Sequence, residues 1–172
     1  MTAITDASAV RSEIPGMSGQ IVMQFAGSSS LTSRLIQWFG HGQFAHVDTV
    51  MPDGTLVGAR NDVMAGYPAG VQIRGADYQK GYKLKKVAIP CTDAQQKAYY
   101  DFVLDQVGKP YDSLAIAAFA AGADWSNRDA WFCSELNTAA LQHCGWLKPL
   151  SEPPNKIDPD SLLLVISAFV DV

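Results

Sequence analysis

The chain has 172 residues, of which 48% are apolar and 17% are charged, and its formal net charge is -4. That length fits one domain with a substantial core, and the composition excludes a disordered or fibrous chain. The small negative charge, without a dense block of Lys or Arg, gives no reason to expect nucleic acid or an anionic membrane as a partner.

The first 18 residues are small and polar and predict a flexible arm, followed by a single domain from residue 19 to residue 172. This arm lacks the continuous apolar stretch of a signal peptide, which favours a cytoplasmic location. The apolar run at residues 114–123 is ended by Asp124, well short of the roughly 20 residues of a membrane span. We therefore expect no integral membrane segment.

The first third of the domain predicts a strand, a short helix and a hairpin. Residues 21–25 alternate as in a strand, and residues 28–40 place apolar positions at helical spacing after three serines. Residues 44–50 and 55–59 flank a turn-forming sequence, which is typical of a hairpin. His46 lies on the first strand of this hairpin.

The middle of the chain predicts two further strands and a helix. Residues 71–74 and 82–89 follow strand patterns, which brings the expected number of strands to about five. Thr92 or Asp93 then caps a helix that ends at Gly108. Its buried stripe is predicted to comprise Ala94, Ala98, Tyr99, Phe102 and Val103.

Two more helices are predicted before the end of the chain. Residues 113–121 predict a short Ala-rich helix, and a longer helix runs from Cys133 to about Cys144, with Gly145 at its C-terminal end. The apolar tail at residues 162–170 fits either a strand or a helix. Together these elements are typical of an α+β domain.

Cys133 is the first candidate for chemistry. A cysteine is nucleophilic as the thiolate, and a helix N-terminus stabilises that charge through its dipole and its unpaired N–H groups. Trp131 and Phe132 supply apolar walls beside it, and its own backbone N–H is a natural donor to an oxyanion. From position alone, a structural core cysteine is an equally good interpretation.

His46 is the candidate base. It shares one face of its strand with Phe44 and Asp48, and a strand holds an imidazole rigidly. Taken alone, a strand histidine is more often structural than catalytic, so the prediction depends on its pairing with Cys133. His41 and His143 are expected to be structural or surface residues.

Several segments, in the correct order, resemble the circularly permuted NlpC-type cysteine peptidases, the YiiX/YebB-like group. The first part comprises Gly-Gln-Ile-Val at residues 19–22, Leu-Ile at residues 35–36 and Phe-Ala-His-Val at residues 44–47. Gly-Lys-Pro-Tyr-Asp at residues 108–112 and Trp-Phe-Cys-Ser-Glu-Leu at residues 131–136 follow. The resemblance covers roughly residues 19–163, and matches in this order make a specific signal.

This resemblance implies a permuted papain-like fold, in which a curved antiparallel sheet packs against the nucleophile-bearing helix and accessory helices. Cys133 would attack a carbonyl, and His46 would take and later return a proton. Tyr111 and Ser134 are implied in substrate binding and in the oxyanion region. For Tyr111, a loop-anchoring role is an equal alternative. The resemblance implies no cofactor or metal.

One position departs from the family pattern. Relatives usually place a polar third residue, His or Glu, on the strand after the base, and the matching position here is Gly58. Asp48 or Asn61 could orient the imidazole instead. An impaired or unusual site is the alternative that this glycine favours.

The predicted function is a hydrolase that cleaves an amide bond, as in cell-wall peptides, or a lipid-type ester. Acyl transfer to a lipid acceptor is a variant of the same chemistry. A non-catalytic ligand-binding module is an alternative of a different class. A metal site formed by His46, Cys133, His143 and Cys144 is disfavoured, because adjacent side chains on a helix diverge by about 100°.

Overall fold

The computed structural model describes residues 19–27, 42–63, 68–113 and 129–171. The strands of these ranges are β1 (Gln20–Gly27), β2 (His46–Val50), β3 (Leu56–Arg60), β4 (Gly70–Arg74) and β5 (Lys83–Pro90). The helices of these ranges are α1 (Asp93–Asp105), α2 (Cys133–His143) and α3 (Pro159–Ser167), with a 3-10 turn at Pro154–Lys156. The predicted α+β class and the predicted five strands are confirmed.

Some sequence predictions fall outside the described residues: the arm at residues 1–18, the helix at residues 28–40, His41, and residues 114–121 of the Ala-rich helix. The apolar tail, which the pattern left open, is the helix α3. Asp158 caps it by accepting from the backbone N–H groups of Asp160 and Ser161. In the described ranges, every helix is too short or too polar to cross a bilayer.

The five strands form one antiparallel sheet in the order β4-β3-β2-β1-β5. The register pairs Met23 with Thr49, Thr49 with Val57, and Val57 with Ile73, so odd-numbered residues line up across the central strands. Because side chains alternate along a strand, one face of the sheet carries the odd-numbered side chains and the other carries the even-numbered ones.

We call the odd-numbered side the helix-covered face, because Thr49 of β2 hydrogen-bonds there to Tyr99 of α1 and Asn137 of α2. Its other side chains are almost all apolar and fully buried. They include Ile21, Met23, Phe25, Val47, Val57, Ala59, Val71, Ile73, Val87 and Ile89. Burial of this apolar layer between sheet and helices provides most of the core.

We call the even-numbered side the polar face. Besides the apolar Ala26 and Leu56, its buried side chains are hydrophilic: Gln24, Asp48, Gln72 and Arg74, with His46 and Arg60 partly buried. Tyr78 and Gln79, from the turn between β4 and β5, lie over this face. The two faces of the sheet therefore differ in the polarity of the side chains that they bury.

The predicted buried stripe of α1 is partly wrong. Tyr99 and Val103 are fully buried as predicted, but Ala94 is exposed and Gln96 is buried instead. Gln96 donates to the Gln20 carbonyl at 2.6 Å, so the side of the helix that carries Gln96 faces β1. Apolar spacing alone could not reveal this rotation.

The first turn of α3 fixes the chain just before β2. The carboxylate of Asp160 accepts from the backbone N–H groups of Gln43 and Phe44, both at 3.0 Å. Phe44 then packs its ring against Phe25 at a centroid distance of 6.0 Å. The position of His46, two residues later, is therefore held from both ends of the domain.

Candidate active site

The helix α2 begins at Cys133, as predicted. Phe132 precedes it in an extended conformation, and its backbone N–H donates to Glu135 Oε2 at 3.1 Å. The N–H groups of a first helical turn have no acceptor within the helix, so those of Cys133 and Ser134 are available to a developing negative charge. Burial raises the pKa of Glu135 to about 7, although its hydrogen bond from Phe132 favours the charged form.

The loop after α1 and the loop before α2 meet in a short parallel bridge between Tyr111 and Trp131. Trp131 N–H donates to the Pro110 carbonyl and Asp112 N–H donates to the Trp131 carbonyl, each at 3.0 Å. This contact brings Tyr111 next to the start of α2. Burial raises the pKa of the Tyr111 hydroxyl well above its usual range, and the charge of Cys133 raises it further.

A buried polar cluster aligns α2 with β2. Thr49 Oγ1 and Tyr99 OH donate to Asn137 Oδ1 at 3.0 and 2.7 Å, and all three side chains are fully buried. Asn137 Nδ2 donates to the Cys133 carbonyl at 2.8 Å and lies 3.5 Å from the Val47 carbonyl. One turn of α2 thus ties the cysteine to the residue that follows His46.

His46 and Cys133 meet at the point where β2 and α2 both begin. The Cys133 side chain lies within hydrogen-bond reach of the imidazole and raises the pKa of His46. On the other side of the ring, Asp48 Oδ1 lies 2.7 Å from Nε2. Because Asp48 takes Nε2, Nδ1 is the nitrogen left for the sulfur.

The glycine that departs from the family pattern makes room for Asp48. A Cβ atom at Gly58 would lie 1.9 Å from Asp48 Oδ1, far inside contact distance. Asp48, rather than the exposed Asn61, therefore lies against the imidazole. The acid stands on the same strand as the base, in the space that a side chain at position 58 would fill.

Two residues from the β4–β5 turn hold the Asp48 carboxylate. Tyr78 OH and Gln79 Nε2 both donate to Asp48 Oδ2, the latter at 2.8 Å, and Gln24 Nε2 donates to Gln79 Oε1 at 2.6 Å. Tyr78 OH also lies 3.3 Å from His46 Nε2. The aspartate thus accepts three hydrogen bonds while only 1% exposed, which keeps its orientation towards His46.

The charges of the site stabilise one another. Burial lowers the pKa of the His46 imidazole, but Asp48 and Cys133 raise it more, and the result is a pKa of about 9. Burial raises the pKa of the Asp48 carboxyl, but the neighbouring His46 lowers it further, to below its ordinary value. At neutral pH the geometry therefore favours an imidazolium beside the Asp48 carboxylate.

The remaining predicted site residue, Ser134, is fully buried, and its hydroxyl donates to the Ile157 carbonyl at 2.5 Å. Its side chain thus joins α2 to the segment before α3. The backbone N–H of Ser134, rather than its hydroxyl, is therefore the candidate donor to an oxyanion. His143 is exposed at the far end of α2 and stacks on Phe102 at 4.8 Å.

Three residues of the site were missed by the sequence analysis: Arg60, Tyr78 and Gln79. The alternation of side chains along β3 could have indicated Arg60, because Arg60 lies on the same face of that strand as Gly58. His46 lies on the same face of the sheet. Tyr78 and Gln79 come from an irregular turn, and no period in the sequence predicts where a turn folds.

Comparison with protein-family models, with curated proteins and with solved structures gives no match to this chain. Within the part of the chain that the structure describes, no cluster of three or more His, Cys, Asp or Glu side chains could hold a metal ion. His143 and Cys144 have separate partners there, since Cys144 Sγ donates to the Leu141 carbonyl at 3.3 Å. The site is therefore interpreted from its own geometry.

Proposed function

We propose that this chain is a cysteine hydrolase of permuted papain-like type, which cleaves an amide or ester bond through a thioester. The observation that carries the proposal is the partly buried imidazole of His46, which contacts Cys133 on one side and Asp48, at 2.7 Å, on the other. A nucleophile, a base and an orienting acid in hydrogen-bond sequence are what acyl transfer requires.

In this mechanism His46 Nδ1 takes the proton of Cys133 before the sulfur attacks the substrate carbonyl. The resulting oxyanion accepts hydrogen bonds from backbone N–H groups at the start of α2. When the intermediate collapses, the leaving amine or alcohol takes the proton from His46, and the acyl group stays on sulfur. Water, deprotonated by His46, then cleaves the thioester and releases the acid.

Amides such as those of cell-wall peptides are the first substrate class, and lipid-type esters are the second. Transfer of the acyl group to an acceptor other than water would use the same first half-reaction. Asp48 has no contact with substrate in this scheme. It is a positioning residue, which keeps the correct tautomer of His46 and stabilises the imidazolium.

A second candidate function is a non-catalytic binding module on the same fold. The observation that favours it is the burial of Cys133, whose residue surface is only 1% exposed. A sulfur that no carbonyl could approach would serve packing alone. The two candidates differ in whether a small electrophile reaches the thiol.

Alkylation by iodoacetamide between pH 5 and pH 9, read at each cysteine by peptide mass spectrometry, tests the proposal. We expect Cys133 to react at pH 6 nearly as fast as at pH 8, because His46 holds its proton. Cys91, whose pKa burial raises, serves as the internal reference and should react only at high pH. His46→Ala should slow Cys133 at pH 6 by at least about tenfold.

His143→Ala is the matched control, since His143 lies exposed at the other end of the same helix and should leave the rate unchanged. A Cys133 that stays unreactive across the whole range, or reacts equally well without His46, would contradict the hydrolase and support the binding module.

A further inference from the structure

Arg60 is a charged residue beside the site to which the mechanism gives no role. Its Nε donates to Asp62 Oδ1 at 2.7 Å and its Nη1 donates to Tyr78 OH at 2.9 Å. The guanidinium carbon also lies 4.7 Å from the Tyr78 ring centroid. These contacts hold the side chain rigidly, although it is 14% exposed.

The third nitrogen of this guanidinium is open. No acceptor among the described residues contacts Arg60 Nη2, and the one fully buried side-chain polar atom without a partner in those residues is Thr138 Oγ1. Nη2 therefore reaches solvent. Three N–H donors of a fixed guanidinium, two on Nη2 and one on Nη1, are left for a ligand, and guanidinium donors suit a carboxylate.

The Arg60 guanidinium is linked to the imidazole of His46 through Tyr78. Tyr78 OH accepts from Arg60 and stands 3.3 Å from His46 Nε2, so a single hydroxyl separates the guanidinium from the imidazole. Tyr111, beside Cys133, is within reach of the same charge, because Arg60 lowers the Tyr111 pKa that burial and Cys133 raise.

The nearest counter-ion does not belong to Arg60 alone. Asp62 accepts from Arg60 through one oxygen and from Arg74, at 3.1 Å, through the other. Both guanidiniums also lie against the Tyr78 ring, at 4.7 and 5.3 Å from its centroid. One carboxylate is thus shared by two arginines at this edge of the site.

We propose that Arg60 binds a carboxylate of the substrate, so that the acyl compound processed at Cys133 is acidic, as in a peptide with a free carboxylate near the scissile bond. This inference rests on the proposed function and specifies its substrate class. A carboxylate on Nη2 would orient the substrate without displacing Asp62 or Tyr78.

Iodoacetate and iodoacetamide test this proposal, because they deliver similar two-carbon groups and differ in charge. In both, the sulfur of Cys133 forms a bond to the CH2 carbon and iodide leaves with the electron pair. We expect Arg60→Gln to lower the iodoacetate rate at Cys133 about tenfold more than the iodoacetamide rate. Arg60→Lys should retain part of the preference, and the remote, exposed Lys97→Gln should retain all of it.

A wild-type measurement makes the test independent of variant folding. Succinate should protect Cys133 from iodoacetamide, and the neutral succinamide should not. Fast, His46-dependent alkylation without any charge preference or protection would overturn the carboxylate site and leave the hydrolase standing. A Cys133 inert to both reagents would overturn the hydrolase and this proposal together.

Discussion

The helix-covered face and the polar face of the sheet differ in what their buried side chains contact. On the helix-covered face, apolar side chains meet other apolar side chains, and Thr49 is satisfied by Tyr99 and Asn137. On the polar face, the buried Asp48 and Arg74 are held by other polar or charged groups.

This difference separates stability from chemistry. Apolar burial contributes the free energy of folding, whereas a buried charge network contributes little, because desolvation offsets the attraction of the charges. An apolar layer of equal volume would stabilise the sheet as well as the polar face does. The charges around His46 fit a role in the proposed reaction. Variants on the helix-covered face should therefore lower stability more than reactivity, and variants on the polar face should lower reactivity more than stability.

Leu141→Ala should give the largest loss of stability. Leu141 is fully buried in the core on α2, eight residues after Cys133, and its removal leaves a cavity. We expect the free energy of unfolding in urea to fall by about 2–5 kcal/mol. The iodoacetamide rate at Cys133 should stay within about twofold per folded molecule. A parallel loss of reactivity in folded protein would show that the two faces are not separable.

The pH dependence of stability should report the interactions of the charged His46 on the polar face. His46 has a folded pKa of about 9, above the ordinary 6.5, so its contribution is complete below pH 6.5 and is lost as the pH rises through 9. We expect the free energy of unfolding to fall by up to about 3 kcal/mol over this range, relative to His46→Gln. Urea titrations of both proteins at pH 6 and pH 10 measure the difference. If the free energy of unfolding changes by the same amount between these pH values in both proteins, the coupling is disproved.

Gly58→Ala should lower stability less than Leu141→Ala does, and it should lower the reactivity of Cys133 more. The new methyl group would collide with Asp48 Oδ1, so the acid must leave the imidazole. We expect a loss of about 1–3 kcal/mol and at least a tenfold slower alkylation of Cys133 at pH 6.

The double variant Asp48→Ala with Gly58→Ala removes the collision but does not restore a carboxylate beside His46. Its stability should recover at least in part, while its reactivity should remain low. If the double variant reacts as the wild type does, Asp48 has no positioning role; if the single variant is unaffected, the contact at Gly58 is not tight.

The local pattern was sufficient to predict the strands, two of the helices and the first residue of α2. These depend on alternation, helical spacing and capping, which act between residues close in sequence. Cys133 and His46 could be proposed as a pair for the same reason, since each lies at the start of an element whose pattern is clear. Their roles in a reaction remain predictions.

The rotation of α1 and the identity of the acid could not be predicted in this way. Gln96 is buried because it reaches the Gln20 carbonyl, and Ala94 is exposed as a consequence. Asp48 and Asn61 were equal candidates along the chain, and the space over Gly58 decides between them. Both outcomes depend on contacts between residues distant in sequence.

The amino-acid sequence alone determined which segments become strands and helices here, and where the thiol and the imidazole stand within them. Tertiary structure alone decided that Tyr78, Gln79 and Arg60 gather behind His46, and that a glycine admits the carboxylate. The physical reason is range: periodicity and capping act within a few residues, whereas burial, desolvation and the partners of a buried charge exist only after the chain has closed on itself.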